Sequence, residues 1–223
     1  MTNTLTNPPT ADVLDRLFGA AEAQEAAEAA AGPDPEPTAP AREPTAQERA
    51  DAQQDVYMPV SRDGGRLLYA LTRATRPQTV VEFGTSFGIS AIHLAAAVID
   101  NGAGHVFTTE LSSAKVKRAR DNLAEAGVEA PVTVLPGDAR ETLAGVPGPI
   151  GLVLLDGWKE LYLPVLRLLE PRLAPGALVL ADDSTFSSVA SYLAYVRDPA
   201  HGYVTVSFPV EDGMEISCWT GTR

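Results

Sequence analysis

Thr79-Val80-Val81-Glu82-Phe83-Gly84-Thr85-Ser86-Phe87-Gly88 is the stretch from which the fold follows. Its first five residues form a short run of β-branched and apolar side chains, which predicts a buried strand. Gly84 and Gly88 let the backbone turn sharply and approach a ligand closely. The apolar pattern after Gly88 predicts a helix over Gly88–Val98, whose first amides face whatever the turn holds. The spacing is Gly-x-x-x-Gly. It lacks the middle glycine that admits a pyrophosphate in the dinucleotide fingerprint. A tight turn with no ligand would leave the same trace.

Outward from this unit the pattern repeats. Strands are expected at His105–Thr109, Pro131–Leu135, Ile150–Leu155 and Ala177–Ala181. Helices are expected at Ser112–Ala126, Ala139–Ala144, Lys159–Leu173 and Ser187–Val196. Upstream, Gly65–Ala74 reads as a helix with Leu67, Leu68 and Leu71 on one face. Two last strands, Tyr203–Phe208 and Met214–Trp219, flank an Asp212-Gly213 hairpin signal. Such alternation gives an α/β fold with a mostly parallel sheet covered on both faces. Ligands bind such sheets beyond the carboxyl ends of the strands.

Those strand ends carry the polar residues. Glu110 follows the second strand, where a carboxylate can hold ribose hydroxyls or cap the next helix. Asp138 follows the third, where it can meet an adenine amino group, cap the helix at Ala139, or both. Asp156 and Lys159 follow the fourth, with Trp158 between them. Lys159 suits proton transfer if its pKa is lowered, or else makes a surface ion pair. The other two of the three lysines, Lys115 and Lys117, fall on what reads as an ordinary surface helix. Asp182 and Asp183 follow the fifth strand. With Asp156 they make a carboxylate set suited to magnesium, or else a turn and a helix cap.

The N-terminal residues differ in kind. Residues 1–56 carry 11 acidic and 3 basic side chains, a net of −8, out of −12 for the 223-residue chain. They read as a helical, Pro-rich extension ahead of a domain over 57–223. A helix is expected over residues 11–31, a linker at about 32–45 with prolines at 33, 35, 37, 40 and 44, and a second helix at Gln47–Gln54. Thr45 with Glu48 matches a capping box. The domain itself is near charge balance, with no basic stripe, which argues against nucleic acid as partner. No apolar run reaches the roughly 18 residues of a membrane span. Met1–Thr10 lacks the Lys or Arg of a secretory signal, and a single cysteine, Cys218, allows no intrachain disulfide. The expectation is a cytoplasmic protein with no membrane partner.

The residues resemble one family, the class I methyltransferases of the catechol O-methyltransferase type. Leu154-Leu155-Asp156-Gly157-Trp158-Lys159-Glu160-Leu161-Tyr162-Leu163-Pro164 is similar to that family's Leu-Asp-His-Trp-Lys-Asp-Arg-Tyr-Leu-Pro segment. Leu180-Ala181-Asp182-Asp183 parallels its Leu-Ala-Asp-Asn. Val81-Glu82-Phe83-Gly84 with Gly88-Ile89-Ser90 parallels its Leu-Glu-Leu-Gly and Gly-Tyr-Ser, and Met58-Pro59-Val60 parallels a Met-Asn-Val. The resemblance covers roughly residues 56–197 and implies a Rossmann-like sandwich: a seven-stranded, mostly parallel sheet closed by an antiparallel hairpin strand.

The resemblance further implies S-adenosylmethionine and Mg2+ as cofactors, a small phenolic or catechol-like acceptor, and a homodimer. Met58 and Val60 would close over S-adenosylmethionine. Glu82, Gly84, Ser86 and Ser90 would surround its methionine end, with Gly88 also among the cofactor-binding residues. Glu110 would hold its ribose, Asp138, Ala139 and Arg140 would lie near its adenine, Asp156 and Trp158 would border it, and Trp158 would also wall the acceptor pocket. Asp156, Asp182 and Asp183 would hold the metal, and Lys159 would be the general base. Two departures stand out. Asp183 replaces an Asn. The family's C-terminal glutamate, which holds the second hydroxyl of a catechol, falls on Val206 when counted from Asp212-Gly213. A metal-independent O- or N-methyltransferase is the second reading, and a non-methylating nucleotide-binding protein or a nicotinamide oxidoreductase the third. A nucleic-acid methyltransferase is disfavoured further by the lack of Pro-Pro-Tyr/Phe after Asp156.

Overall fold

The computed structural model describes residues 3–32, 42 and 44–221. The prolines at 33, 35, 37 and 40, the heart of the expected linker, lie outside the described residues.

Seven strands form one sheet: β1 (Thr79–Phe83), β2 (His105–Glu110), β3 (Val132–Pro136), β4 (Ile150–Leu155), β5 (Leu173–Ala181), β6 (Tyr203–Phe208) and β7 (Met214–Trp219). Their order is β3-β2-β1-β4-β5-β7-β6. The first five are parallel, and β7 runs antiparallel between β5 and β6. The seven-stranded, mostly parallel sheet with an antiparallel closing pair is therefore the one expected. β1 sits at the middle of the parallel part, buried at all five positions, which is why its sequence shows no alternation. The chain reverses direction across the sheet between β1 and β4, so the ends of these two strands form the switch-point crevice.

Helices α1 (Pro8–Ala31), α2 (Ala46–Ala52), α3 (Arg62–Thr75), α4 (Ile89–Asn101), α5 (Ser113–Glu125), α6 (Ala139–Thr142), α7 (Tyr162–Leu169) and α8 (Ala190–Arg197) complete the fold. One apolar layer joins α3, α4 and α5 to the sheet through Leu68, Ile92, Leu94, Val116 and Leu123. α1 lays Val13, Leu14, Leu17 and Phe18 into that same layer. The opposite layer packs α7 and α8 on β4 and β5 through Val165, Leu166, Leu169, Tyr192 and Val196.

Several boundaries shifted by a few residues, and two moved furthest. The helix expected over Lys159–Leu173 is α7 between two 3-10 turns, Lys159–Leu161 and Glu170–Arg172. Pro171 lacks the amide hydrogen an α-helix would need there. The strand expected at Ala177 begins at Leu173, with an irregularity in its register opposite Ile150 and Leu152. The hairpin strands and the Thr45–Glu48 capping box match the sequence expectation.

Candidate active site

β1 delivers Glu82 and the turn after it. Glu82 is fully buried; one carboxylate oxygen accepts from the Thr108 hydroxyl, and Oε1 has no partner. Burial pushes its pKa up to about 7 against the pull of the Thr108 and Ser90 hydroxyls. At Gly84 (φ +104) a Cβ would lie 2.7 Å from the Asp156 carbonyl carbon and 2.8 Å from Gly157 N. Glycine is therefore required for the ends of β1 and β4 to touch. Ser86 also holds a positive φ (46°), and its Oγ is buried without a partner. Gly88 (φ +90) caps α4 from the left-handed region.

Glu110 ends β2 and accepts two backbone N–H bonds, from Ser86 and Ser112, each at 2.8 Å. The side-chain cap on α5 comes from Ser112 instead, which accepts from Lys115 N. Asp138 does cap α6, accepting from Arg140 N at 2.8 Å, and pairs with the Arg140 guanidinium at 2.6 Å. That guanidinium is the chief cause of the lowered Asp138 pKa.

Beyond β4 and β5 the carboxylates converge. Asp156, Asp182 and Asp183 each offer an oxygen within 4.8 Å of the others. Lys159 Nζ lies 2.6 Å from Asp183 Oδ2, 3.4 Å from Asp156 Oδ1 and 2.8 Å from the Tyr162 hydroxyl, to which it donates. The Tyr162 hydroxyl donates in turn to the Asp182 carbonyl at 3.3 Å. Burial, and then the charge of Asp182, raises Asp156 well above its ordinary range; Asp182 is raised by burial and by Asp183. For Lys159, burial pulls downward, but Asp156, Asp183 and Asp182 outweigh it and leave its pKa above the ordinary lysine value. The lowered pKa required for a free base is thus not what this arrangement produces. With the carboxylates bare, Lys159 is their counter-ion.

These groups share a cavity of about 550 Å³. It is lined by Gly84, Ser86 and Glu110 on the β1–β2 side and by Asp138 and Ala139 after β3. Asp156, Trp158, Lys159, Asp182 and Asp183 line the opposite side, with Met58 closing from α3's leading segment. Val60 and Ser90 line a smaller cavity beside it, with Ser86 and Asp156. Gly88 and Arg140 are not on the wall of either cavity, and Glu82 lies beneath the turn.

Several wall residues were not foreseen. Val206 is on the outer strand β6, 58% exposed and away from the cavity, but Glu211 and Asp212 of the β6–β7 hairpin line it. Burial, then Asp182, raises Glu211 to about 7. Counting along a strand could not find them, because a hairpin tip folds back over the sheet end. From α2 and its C-terminal cap come Ala46, Ala50 and Gln53. Arg49 stacks 4.5 Å above the Trp158 ring and pairs with Glu160. Lys115 is a correction: it is 3% exposed and lines the cavity, whereas its neighbour Lys117 is the exposed one.

With this geometry the relatives are informative. A family model described as a methyltransferase domain matches residues 81–184, from β1 to just past Asp183. The catechol O-methyltransferase B of Danio rerio is 31% identical over 178 residues, 74% of this chain and 66% of that protein. The catechol O-methyltransferase of Mus musculus is 29% identical over 183 residues, 76% of this chain and 68% of that one. This chain belongs to the class I S-adenosylmethionine-dependent O-methyltransferases of the catechol O-methyltransferase type. It spans about two thirds of the length of those curated relatives. Among solved structures, cofactor-bound Rv0187 from MTB superposes with a TM-score of 0.69 at 25% identity, covering 79% of this chain and 89% of that one. No helix among the described residues is long and apolar enough to cross a membrane.

Proposed function

We propose that this protein transfers the methyl group of S-adenosylmethionine to a hydroxyl oxygen of a small phenolic acceptor, with help from a divalent cation. The observation that carries this reading is the meeting of Asp156, Asp182, Asp183 and Lys159 in the same cavity as the Gly84–Ser86 turn and Glu110. Burial first, and then their mutual repulsion, disfavours charge on Asp156 and Asp182, and a hard divalent cation with oxygen preference would offset both. The unpartnered buried Oγ of Ser86, on the wall of both cavities, fits the polar methionine end of the cofactor.

When bound, S-adenosylmethionine supplies an already activated methyl group, and a divalent cation supplies positive charge that stabilises a phenolate. The remaining work belongs to the chain. Asp156, Asp182 and Asp183 would hold the cation. Glu110, Gly84 and Ser86 would fix the cofactor, and Trp158 and Met58 would align the acceptor oxygen behind its methyl group. A bound cation would compete with Lys159 for Asp156 and Asp183, and the Lys159 ammonium would release its proton to solvent before acting as a base. Its Nζ can then accept the proton of the acceptor hydroxyl, with Tyr162 keeping it in place. Glu211 and Asp212 put acids where Val206 puts none, so a second acceptor hydroxyl would meet the hairpin tip.

The test is methyl transfer to a panel of catechols with and without chelator, in the wild type and in Asp182→Asn, alongside calorimetric titration of Mg2+. Loss of turnover with chelator, and loss of Mg2+ binding in Asp182→Asn, are expected. Turnover indifferent to both would sink metal assistance and favour the metal-independent reading.

A further inference from the structure

We propose that Lys115 is a cofactor-binding residue that donates hydrogen bonds to the ribose hydroxyl oxygens whose hydrogens Glu110 accepts.

Lys115 stands in the first turn of α5, five residues past Glu110. Although 3% exposed as a residue, it borders the cavity with Glu110 and Leu111. Its Nζ lies 5.3 Å from the centroid of the Phe87 ring. Among the described residues that ammonium donates no hydrogen bond to any oxygen. The nearest acids act on it only through space: Glu110, and Asp55, which is already paired with Arg118 at 2.6 Å. Burying an ammonium costs free energy unless its donors are used, and one aromatic face offsets only part of that. The cavity is the remaining place for an acceptor. The lowered Lys115 pKa, caused first by burial, is the mark of that unmet demand.

The chemistry of the two side chains is complementary. Glu110 accepts only, and each of its oxygens already takes one backbone N–H, so it can read hydroxyl hydrogens but not hydroxyl oxygens. Lys115 donates only, with three hydrogens on Nζ. A hydroxyl does both. A vicinal diol held between an acceptor-only and a donor-only group is satisfied in both senses and fixed in orientation. A deoxy sugar leaves both groups short.

This inference rests on the reading that the cavity takes S-adenosylmethionine with its ribose at Glu110. The experiment is calorimetry of S-adenosylhomocysteine, adenosine, 2′-deoxyadenosine and 3′-deoxyadenosine against the wild type and Lys115→Met, which keeps the apolar stem. Lys115→Met is expected to weaken S-adenosylhomocysteine about tenfold, the size of one charge-assisted hydrogen bond. The penalty for removing a ribose hydroxyl should also be several-fold smaller in the variant than in the wild type. Unchanged S-adenosylhomocysteine affinity would overturn the proposal. So would equal weakening of adenosine and both deoxyadenosines, which would make Lys115 a packing residue. Should Lys115→Met fail to fold, Lys115→Leu, which also lacks a donor, is read on the same cycle. A wild type that binds none of the four ligands would instead remove the cofactor reading beneath it.

Discussion

Replacing Gly84 by Ala tests the join between the cofactor turn and the acidic cluster. Two costs apply. An L-residue at φ +104 is strained by roughly 1–2 kcal/mol. The new Cβ would also meet the Asp156 carbonyl group and Gly157 N at 2.8 Å or less, backbone atoms that can retreat only if the ends of β1 and β4 part. Overpacking of that kind costs about 1–3 kcal/mol. Gly102→Ala is the control. Gly102 also has a positive φ (72°) but nothing within 4 Å of a Cβ, so it carries the first cost alone. Urea unfolding should therefore place Gly84→Ala about 1–3 kcal/mol below Gly102→Ala, a midpoint difference on the order of 1 M. Calorimetry should show weakened S-adenosylhomocysteine binding in Gly84→Ala only. Equal unfolding midpoints, with equal ligand affinity, would refute the argument that the β1 turn and the Asp156 backbone form one rigid contact.

Two further outcomes follow from charge. Lys159→Met should lower turnover by about a hundredfold or more, as expected when a general base is lost. It should bind Mg2+ at least as tightly as the wild type, because the ammonium competing for Asp183 is gone; weaker Mg2+ binding would contradict its role as counter-ion. His93, buried on α4 beside Phe18 and Gly65, has its pKa pushed down to about 4 by burial. The unfolded chain protonates this group near 6.5 and the native state does not until about 4. Its contribution therefore erodes as pH falls through that window, by about 2 kcal/mol at pH 5. Glu82 and Glu211, raised to about 7, act in the opposite sense, so the readout is the stability difference between wild type and His93→Gln. That difference should shift by about 2 kcal/mol between pH 7 and pH 5, and a pH-independent difference would show that His93 titrates normally.

The sheet was legible because burial on both faces leaves an unbroken β-branched run, as in β1 and β4, and glycines mark where each strand turns. Asp156, Asp182 and Asp183 were legible because a strand's last residue fixes where its successor begins. What sequence hid was long-range. Lys115 reads as one more cation in the Lys-rich start of α5. The retrievable signal was its spacing: Lys115, Ala119 and Asn122 share the face that turns inward, and all three are buried. Glu211 and Asp212 were hidden because a hairpin tip has no periodicity to count along. Ala46, Ala50 and Gln53 were hidden because no local rule tells where a helix tethered by a proline-rich segment will dock.

That docking has a consequence. Arg49 clips α2 onto Trp158 and Glu160, so part of the site's roof comes from a stretch more than a hundred residues upstream of the floor it covers. Residues 81–184, which the family model matches, carry Asp156, Asp182 and Asp183, whereas Ala46, Ala50 and Gln53 of the roof lie outside them. Substitutions at Ala46, Ala50 and Gln53 would then exchange one fit for another without touching a single carboxylate below.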